Sequence, residues 1–375
     1  MMKKKILIFY ISKYSGHYHA AMAIEEALLA RWPDDAEVEK INALDYTNPI
    51  LGRIINRIYL RIIKKRPEIW GNMYDNPEVL KKTRRAREAL HKFNMSKIKR
   101  LVKRKKPDII LCTQAFPCGM VADFKKVTGS KLKLIGVLTD HAPHSYWLFD
   151  EVDFYVTPDE KTAAALYEKG ISRDRIKAYG IPVGLKYRKR RDRRKIIKEL
   201  DISDKKPTLL VMGGSQGLGA IEQAVKSLSR DKDHDYQLLV VAGKNRKLLS
   251  RLSRSKVVRS NPGIKLFSFV ENIEELMEVS DVIITKAGGM TTAEALAKGL
   301  PMIIVDPIPG HERLNADYLV GEGAAVEIKD YDEMHRIINR LFDSRETIAK
   351  MRSRAESIAK PDSALDIARL AILGK

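Results

Sequence analysis

The sequence predicts an α/β protein made of two doubly wound domains that face each other across a cleft. Short apolar runs alternate with helix-like stretches, which is typical of parallel sheets covered by helices on both faces. This alternation occurs twice along the 375 residues. A basic stretch that is too charged for a core, LKYRKRRDRRKIIKEL, separates the two series.

The first series begins with KKILIFYI, a continuous apolar run that predicts a buried strand over residues 4–11. A helix is predicted from Ser15 to Arg31. Three further apolar runs predict strands: KPDIILC (106–112), KLKLIGVLTD (131–140) and VDFYVTP (152–158). We place the first domain at residues 1–183.

The second series follows a basic linker, which we place at residues 184–206. Its predicted strands are PTLLVMGG (207–214), YQLLVVAG (236–243), IKLFSFV (264–270), DVIITKAG (281–288) and PMIIVDP (301–307). The second domain therefore spans residues 207–375, and its last helix can pack back on the first domain. Ligands of doubly wound domains bind at the carboxyl ends of the strands, so we expect the functional residues there.

The composition indicates a protein that is attracted to polyanions. Lys and Arg number 69 against 48 Asp and Glu, a net charge of +21, which favours nucleic acid or anionic lipid as a partner. No apolar run approaches the roughly 18–20 residues of a transmembrane helix. The short apolar run near the start lacks a signal-peptide cleavage site. Cys112 and Cys118 are too few for a disulfide framework and lack metal-site spacing, so we expect a cytoplasmic protein.

One segment of the first domain predicts membrane contact. ILGRIINRIYLRIIKKR, between Pro49 and Pro67, carries aliphatic and basic residues at helical spacing, so an aliphatic stripe would run beside a basic one. The residues that we expect to contact the membrane, or an acceptor substrate taken from it, are Ile54, Ile58, Ile62, Arg53, Arg57 and Arg61. The alternative is a helix whose apolar face packs on the core.

A second basic segment, residues 81–106, contains thirteen Lys and Arg residues and one acidic residue, Glu88. A solvated helix normally mixes both signs, so this segment predicts a cationic surface. Basic residues near an anionic leaflet contribute roughly 1 kcal/mol each. We therefore expect a peripheral protein on the inner face of the cell membrane.

The loop SKYSGHYHA (12–20) follows the first strand and opens a helix. Gly16 lets the backbone approach a ligand, and a helix N-terminus favours negative charge. His17 is then either a functional imidazole at the floor of the cleft or a residue of the helix cap. The loop is not GxGxxG, which argues against a dinucleotide-binding dehydrogenase.

Two glycine-rich loops of the second domain predict a phosphate site. GGSQGLG (213–219) lies between a strand and a helix, where backbone amides can form a nest for an anion. It lacks the Lys-Ser/Thr ending of a P-loop, so nucleotide hydrolysis is not expected. KAGG (286–289) again meets a helix start at a strand end. Glu294, one helical turn on, either accepts hydrogen bonds from a ribose diol or supports its own helix start.

Six stretches together resemble one family of glycosyltransferases. They are SGHYHAA, VLTDHAPHSYW, EVDFYVTPDEKTAAALYEKGISRDRIKAYGIPV (151–183), GGSQGLG, TKAGGMTTAEALAKGLP and PGHERLNA. They span nearly the whole chain in the family's order. The family contains the monogalactosyldiacylglycerol synthases and the bacterial processive diacylglycerol glucosyltransferases, and the lipid II-forming N-acetylglucosaminyltransferase is a more distant relative.

The resemblance implies a GT-B fold of two Rossmann-like domains, with a UDP-sugar in the second and a lipid acceptor at the first. It also implies inversion at the anomeric carbon without a metal ion or other cofactor, and diacylglycerol or a glycosyl-diacylglycerol as acceptor. His144 and Trp147 are expected on the acceptor side. The expected donor-binding residues are Gly16, Gly213, Gly214, Ser215, Gln216, Lys286, Ala287, Gly288, Gly289, Thr291, Glu294, Gly310, His311, Glu312 and Asn315.

Two positions depart from the family pattern. Residues 13–15 are Lys-Tyr-Ser where the family is richer in glycine, and His311 stands where the family usually has Gln in a PGQE motif. His311 can still donate a hydrogen bond, but the sugar preference linked to that loop is left open. The sequence does not choose between glucose and galactose, which differ in the configuration of one hydroxyl.

We expect a general base to deprotonate an acceptor hydroxyl while UDP leaves. His17 is the first candidate, because an imidazole titrates near neutrality. Asp140 is the second, and it can equally orient His17 or cap a turn. Helix N-termini and Lys286 would offset the charge on the departing UDP. The DxD-like run DKDHD (231–235) lies in a polar loop, and we expect no metal there.

Three alternatives stay open. A nucleic-acid-binding protein would account for the charge, but the basic segments contain few aromatic residues and no RRM, KH or zinc-finger pattern. We therefore expect no specific nucleic-acid partner. A UDP-sugar 2-epimerase would keep the fold and change the chemistry. A UDP-GlcNAc transferase acting on a polyprenyl-diphosphate-linked acceptor would keep the reaction and change the acceptor.

Overall fold

The structure is a computed structural model that describes residues 3–13, 15–47, 82, 93–143, 145–229 and 236–374. It divides into two compact units. The first consists of Met1–Leu185, Ile308–Leu314 and Lys360–Lys375, and the second of Lys186–Pro307 and Asn315–Ala359.

The first unit is built on a parallel six-stranded sheet with the order β2-β1-β3-β4-β5-β6. Its strands are β1 (Lys4–Tyr10), β2 (Ala36–Asn42), β3 (Ile109–Cys112), β4 (Lys133–Val137), β5 (Phe154–Val156) and β6 (Ile176–Lys177). β1 pairs with both β2 and β3, so the winding of the chain reverses between β1 and β3. Such a switch point is where doubly wound domains bind ligands.

Helices cover both faces of the first sheet. They are α1 (Gly16–Arg31), α2 (Ala43–Thr47), α3 (residues 93–105), α4 (Ala115–Thr128), α5 (Glu160–Glu168) and the C-terminal helix (Ser363–Leu373), with short 3-10 helices at Ser145–Trp147 and Arg173–Arg175. Ile6 and Ile8 of β1 pack with α1 and the C-terminal helix, whereas Leu7 and Phe9 pack with α3 and α4. The strand is apolar throughout because both of its faces are buried.

The second unit repeats this architecture with the strand order β12-β11-β10-β7-β8-β9, again all parallel. Its strands are β7 (Thr208–Met212), β8 (Gln237–Val241), β9 (Ile264–Phe267), β10 (Val282–Thr285), β11 (Met302–Val305) and β12 (Ala325–Ile328). Here β7 and β10 are the neighbours between which the winding reverses. Their carboxyl ends therefore mark the switch point of the second sheet.

The helices in this part of the chain are mostly short. They are α6 (Arg193–Leu200), α7 (Ile221–Leu228), α8 (Arg246–Arg254), α9 (Lys256–Ser260), α10 (Ile273–Val279), α11 (Gly289–Ala297), α12 (His311–Gly321), α13 (Met334–Asp343) and α14 (Arg345–Ile358), with a 3-10 helix at Leu185–Arg188. Leu209 and Val211 of β7 join one core with Val225 of α7, Leu248 of α8 and Ile338 of α13.

The predicted fold class is confirmed, and each of the nine predicted strands is present. Three strands were not predicted, β2, β6 and β12, each at the edge of a sheet. β2 has the sequence AEVEKIN, in which only Ala36 and Ile41 are buried. β6 has only two residues, and β2 and β12 contain glutamate, so these strands lack the continuous apolar run by which the other strands are found.

Most of the basic stretch that we expected to be a linker lies in the second unit, where it includes α6. Asp192 caps α6 by accepting hydrogen bonds from the backbone N–H groups of Arg194 and Lys195, and α6 buries Ile196. The C-terminal helix belongs to the first unit. Within the described ranges, no helix combines the length and the apolar character that a membrane crossing requires.

Candidate active site

The first group of candidate residues lies at the switch point of the first sheet. The chain leaves β1, turns over residues 11–15 and enters α1 at Gly16. Ser12 has a positive φ of 59°, and the Ser15 hydroxyl donates a hydrogen bond to the Ser12 carbonyl at 2.8 Å. This turn places His17 in the first turn of α1, at the carboxyl end of β1.

His17 is held by two threonines that follow β3 and β4. The Thr113 hydroxyl donates to the His17 carbonyl oxygen at 2.9 Å, and Thr139 Oγ1 lies 3.1 Å from His17 Nδ1. In the tautomer in which Nδ1 donates to Thr139, Nε2 keeps its lone pair and can accept a proton. These threonines were not predicted from the sequence, because their role depends on the strand order β1-β3-β4 rather than on a motif.

The environment of His17 favours the neutral imidazole. Burial lowers the pKa of His17 from its usual 6.5, because it penalises the imidazolium, and the nearby His311 lowers it further. The charge of Asp140 and the interaction of the ring with the Thr113 backbone act in the opposite direction. A neutral histidine with its Nδ1 engaged is suited to general-base chemistry at pH 7.

Asp140 is half-buried at the end of the segment after β4, close enough for its charge to raise the pKa of His17. The next residue, His141, has a structural partner: its Nδ1 lies 2.6 Å from Asp159 Oδ2. Asp159 also caps α5 by accepting from the Thr162 backbone N–H at 2.7 Å. His141 therefore ties the segment after β4 to the start of α5.

Trp147, which we expected on the acceptor side, lies in the core of the first unit and is 7% exposed. Its ring packs so closely on β4 that a Cβ at Gly136 would lie 3.3 Å from it. The indole therefore fills the interior instead of meeting a lipid surface. His144 is outside the described residues, as are the expected membrane-contact residues Arg53, Arg57, Arg61, Ile54, Ile58 and Ile62.

The second group of candidate residues forms two turns at the switch point of the second sheet. We call residues 213–219 the first glycine turn. A Cβ at Gly213 would lie 1.7 Å from the Leu218 carbonyl oxygen, and one at Gly217 would lie 1.9 Å from that of Ala242. Gly214 and Gly217 also have positive φ values of 67° and 56°. This turn therefore requires glycine both for its compactness and for its backbone angles.

Residues 286–289 are the second glycine turn, which leads from β10 into α11. Gly288 is the N-cap of α11 and, like every glycine, offers no side chain to the first-turn N–H groups of the helix. The Asn315 side chain donates to the Ala287 carbonyl oxygen at 3.0 Å and is fully buried. Asn315, an expected donor-binding residue, thus holds the turn in place.

The two glycine turns lie side by side, because β7 and β10 are neighbouring strands. A Cβ at Gly214 would lie 3.8 Å from Thr291 Oγ1, and one at Gly219 would lie 3.9 Å from Lys286 Cδ. Lys286 therefore extends along the first glycine turn, and the start of α11 adjoins it. Helix N-termini, a lysine and close-packed backbone amides are the elements of an anion site.

Glu294 lies one turn into α11, close to Tyr187. Burial, the largest cause, raises the pKa of Glu294 to about 7, whereas the nearby Tyr187 hydroxyl and the charge of Lys186 act in the opposite direction. Tyr187 is buried and lies in the stretch that we expected to be a linker.

The loop before α12 contains the remaining expected donor-binding residues. The buried Glu312 carboxylate accepts a hydrogen bond from the Ile308 backbone N–H at 3.0 Å. Gly310 has a positive φ of 95°, and His311 is the first residue of α12. Glu312 thus stabilises the loop. The charge of His311, the residue before it, lowers the pKa of His17.

The part of the second basic segment that forms α3 exposes positive charge on one side of the helix. In α3, Ile98 and Leu101 are buried. The opposite side of the helix exposes Lys99, Arg100, Lys103 and Arg104, which we call the cationic face. Phe93, at the start of the described part, is 62% exposed. The acidic run 231–235 lies outside the described residues.

Solved structures with the same architecture define the class of the protein. The chain aligns with MurG of Acinetobacter baumannii at a TM-score of 0.64 and 15% identity, covering 99% of this chain and 100% of MurG. It aligns with MnaA of S. aureus, solved with UDP, at a TM-score of 0.65 and 16% identity. This alignment covers 98% of this chain and 96% of MnaA. The fold is that of the GT-B class.

Sequence comparison narrows the class to a family. Residues 17–183 match the family described as monogalactosyldiacylglycerol (MGDG) synthase, and residues 208–368 match the glycosyltransferase family 28 C-terminal domain. A processive diacylglycerol β-glucosyltransferase of Bacillus cytotoxicus is 30% identical over 97% of this chain and 92% of its own length. The processive diacylglycerol β-glucosyltransferase of Bacillus subtilis is 28% identical over 95% of this chain and 91% of its own length. The chain belongs to this family of glycosyltransferases.

Proposed function

We propose that the protein transfers a hexose, glucose in the first place, from a UDP-sugar to diacylglycerol or a glycosyl-diacylglycerol at the surface of an anionic membrane. The donor and the acceptor are supported by the names of the relatives that are similar over nearly the whole chain. We propose glucose rather than galactose as the donor sugar because these relatives are named glucosyltransferases.

The observation that carries the proposal is the pair of glycine turns at the β7–β10 switch point. The two turns and Lys286 would receive the diphosphate of UDP, and Glu294 would accept hydrogen bonds from its ribose. As the glycosidic bond breaks, negative charge grows on the β-phosphate. Helix N-termini and a lysine that are already in place stabilise such charge without reorganising during the reaction.

The acceptor side belongs to the first unit in this proposal, with His17 as general base. The acceptor hydroxyl attacks the anomeric carbon while the bond to UDP breaks, and its proton passes to His17 Nε2. Thr139 Oγ1 lies 3.1 Å from Nδ1 and would accept its hydrogen in the tautomer that leaves the Nε2 lone pair free. Asp140 stabilises the imidazolium that forms, because its charge favours the protonated ring. Attack from the face opposite UDP inverts an α-linked donor to a β-linked product.

The membrane surface would be reached through the cationic part of the first unit. The cationic face of α3 and the exposed Phe93 combine positive charge with an aromatic side chain, as interfacial elements do. The net charge of +21 supports the same attachment. We propose that the protein is peripheral on the cytoplasmic leaflet, and that it needs no metal ion because Lys286 and the helix starts offset the charge of UDP.

The test is a transfer assay with labelled UDP-glucose and UDP-galactose in anionic vesicles that contain diacylglycerol. We expect a β-glucosyl-diacylglycerol, with activity unchanged by EDTA and reduced in neutral vesicles. Flotation with RNA as competitor separates lipid attachment from nonspecific polyanion binding. Failure to label diacylglycerol from either donor would contradict the proposal. Labelling of a polyprenyl-diphosphate acceptor, or epimerisation of a UDP-sugar without acceptor, would replace it.

A further inference from the structure

The segment that follows β4 makes two side-chain contacts in residues 139–141. Thr139 Oγ1 lies 3.1 Å from His17 Nδ1, and His141 Nδ1 lies 2.6 Å from Asp159 Oδ2. The first contact joins the segment to the proposed base, and the second joins it to the N-cap residue of α5. Because only one residue separates the two contacts, a displacement of His141 also displaces Thr139.

The contact between His141 and Asp159 is a buried hydrogen bond to a charged group. The two side chains are 4% and 9% exposed. Burial alone would raise the pKa of Asp159, but the hydrogen bonds from His141 and Thr162 hold it below its usual 3.8. The carboxylate is therefore ionised at neutral pH and can only accept, so His141 Nδ1 is the donor. Such a bond is about twice as strong as one between neutral groups.

Asp159 is itself fixed at the start of α5. Its Oδ1 accepts from the Thr162 backbone N–H at 2.7 Å, and its Oδ2 accepts from the Thr162 hydroxyl at 3.0 Å. Its backbone carbonyl accepts from the Thr157 hydroxyl at 3.1 Å. Hydrogen bonds and one short stretch of backbone thus connect α5 to the imidazole of His17.

We propose that His141 and Asp159 are positioning residues for the general base: their hydrogen bond holds the segment after β4 where Thr139 Oγ1 can accept from His17 Nδ1. This inference rests on the proposed function, in which His17 takes a proton at Nε2. The two residues act through Thr139 and not on the substrate. Loss of their hydrogen bond changes the tautomer of His17 and the rate of transfer, and leaves donor binding as it is.

The first test compares His141→Leu with His141→Asn in the transfer assay. Leucine removes the donor, whereas the amide nitrogen of asparagine donates from a position as many bonds from the backbone as Nδ1. We expect kcat of His141→Leu to fall about tenfold, the effect of one hydrogen bond. The KM for the UDP-sugar should stay within about twofold of the native value. His141→Asn should recover most of the lost rate.

The second test reads the His17 tautomer by ¹⁵N NMR of the histidine rings, because the shifts of the ring nitrogens show which one carries the hydrogen. At about pH 8 His17 is neutral, since its pKa is lowered from 6.5. We expect the hydrogen on Nδ1 in the native protein and in His141→Asn. In His141→Leu and in Thr139→Val, a large share should move to Nε2. The signal that is missing in His17→Ala assigns the ring.

A double variant shows whether His141 acts through Thr139. Thr139→Val/His141→Leu should be no slower than Thr139→Val alone, whereas a further tenfold loss would mean that the two residues act independently. Lys169→Met is the matched control, because Lys169 Nζ donates to the Pro143 carbonyl of the same segment at 3.1 Å from an exposed position. It should keep the native rate and the native ring signals.

The outcomes separate this inference from the proposed function. If His17→Ala keeps near-native turnover, the proposed base fails, and the inference fails with it. If His17 is the base but His141→Leu keeps the native tautomer and rate, the inference alone is overturned. His141→Leu leaves the buried charge of Asp159 without this donor and can unfold. His141→Leu/Asp159→Ser removes the charge as well, keeps a capping oxygen for α5 and gives the same test.

Discussion

The two switch points of this protein have the same topology and different chemistry. Between β1 and β3 the site consists of side chains, with an imidazole whose pKa is lowered and a threonine on its Nδ1. Between β7 and β10 it consists of two backbone turns and Lys286, and in the first glycine turn a Cβ at Gly213 or Gly217 would collide with a carbonyl oxygen. The order of the strands thus decides where a site lies, and the residues that follow the strands decide its chemistry.

The strongest test of this difference is His17→Ala. We expect kcat to fall about 1,000-fold, as for the loss of a general base, while the affinity for UDP stays within twofold because the proposed diphosphate site belongs to the other unit. The measurements are transfer of labelled glucose and titration calorimetry. His19→Ala, two residues further along α1, is the control and should keep nearly full activity. Near-native turnover of His17→Ala would remove its role as base.

The next largest expected effect is the loss of UDP affinity when a glycine of the first glycine turn is replaced. In Gly217→Ala the added Cβ would lie 1.9 Å from the Ala242 carbonyl oxygen at a positive φ of 56°. We expect the turn to shift and the affinity for UDP to fall about 100-fold, because several backbone contacts are lost together. Gly323→Ala is the control: φ is 74° there, and the nearest atom is a side-chain carbon 3.7 Å away. Equal UDP affinity of both variants would contradict the anion site.

Lys286→Met separates charge from shape at the same turns. The methionine fills a similar volume without the ammonium, so we expect UDP to bind about tenfold more weakly while uridine, which has no diphosphate, binds as before. Competition between UDP and uridine in one titration series measures both. An equal loss of affinity for uridine would mean that Lys286 supports the fold or contacts the uracil ring rather than the diphosphate.

The smallest expected effect concerns the pH profile of the first switch point. Because the pKa of His17 lies below 6.5, kcat should rise with pH and level off before neutrality. Asp140 raises this pKa, so Asp140→Asn should move the inflection to lower pH. The profile is measured with both substrates saturating, so that protonation of Glu294 does not affect it. An upward movement, or none, would show that Asp140 acts in some other way than through the charge it presents to His17.

The inner strands and the turns after them could be predicted from the sequence, because strands buried on two faces are continuously apolar. The edge strands β2, β6 and β12 could not, since one side of each is open and charged residues interrupt the pattern. His17 and the glycine turns were found as local motifs. Thr113 and Thr139 were not, because their contacts with His17 arise from the pairing of strands that are distant in sequence.

At three positions the structure shows a packing or hydrogen-bonding role that the residue types alone do not reveal. Trp147 was expected to meet the acceptor, and it packs instead in the first core. Glu312 and Asn315 were expected to bind the donor, but each is buried and bonds to a backbone group. Polar residues in a loop can serve the loop itself, and only the direction of the side chain separates this from ligand binding.

Amide hydrogen exchange with and without UDP tests most directly where the diphosphate binds. We predict that UDP slows exchange in peptides that cover residues 213–219 and 286–291, and leaves peptides around residues 12–17 unchanged. Slowed exchange at residues 12–17 without any at the glycine turns would contradict the assignment of anion binding to the second switch point.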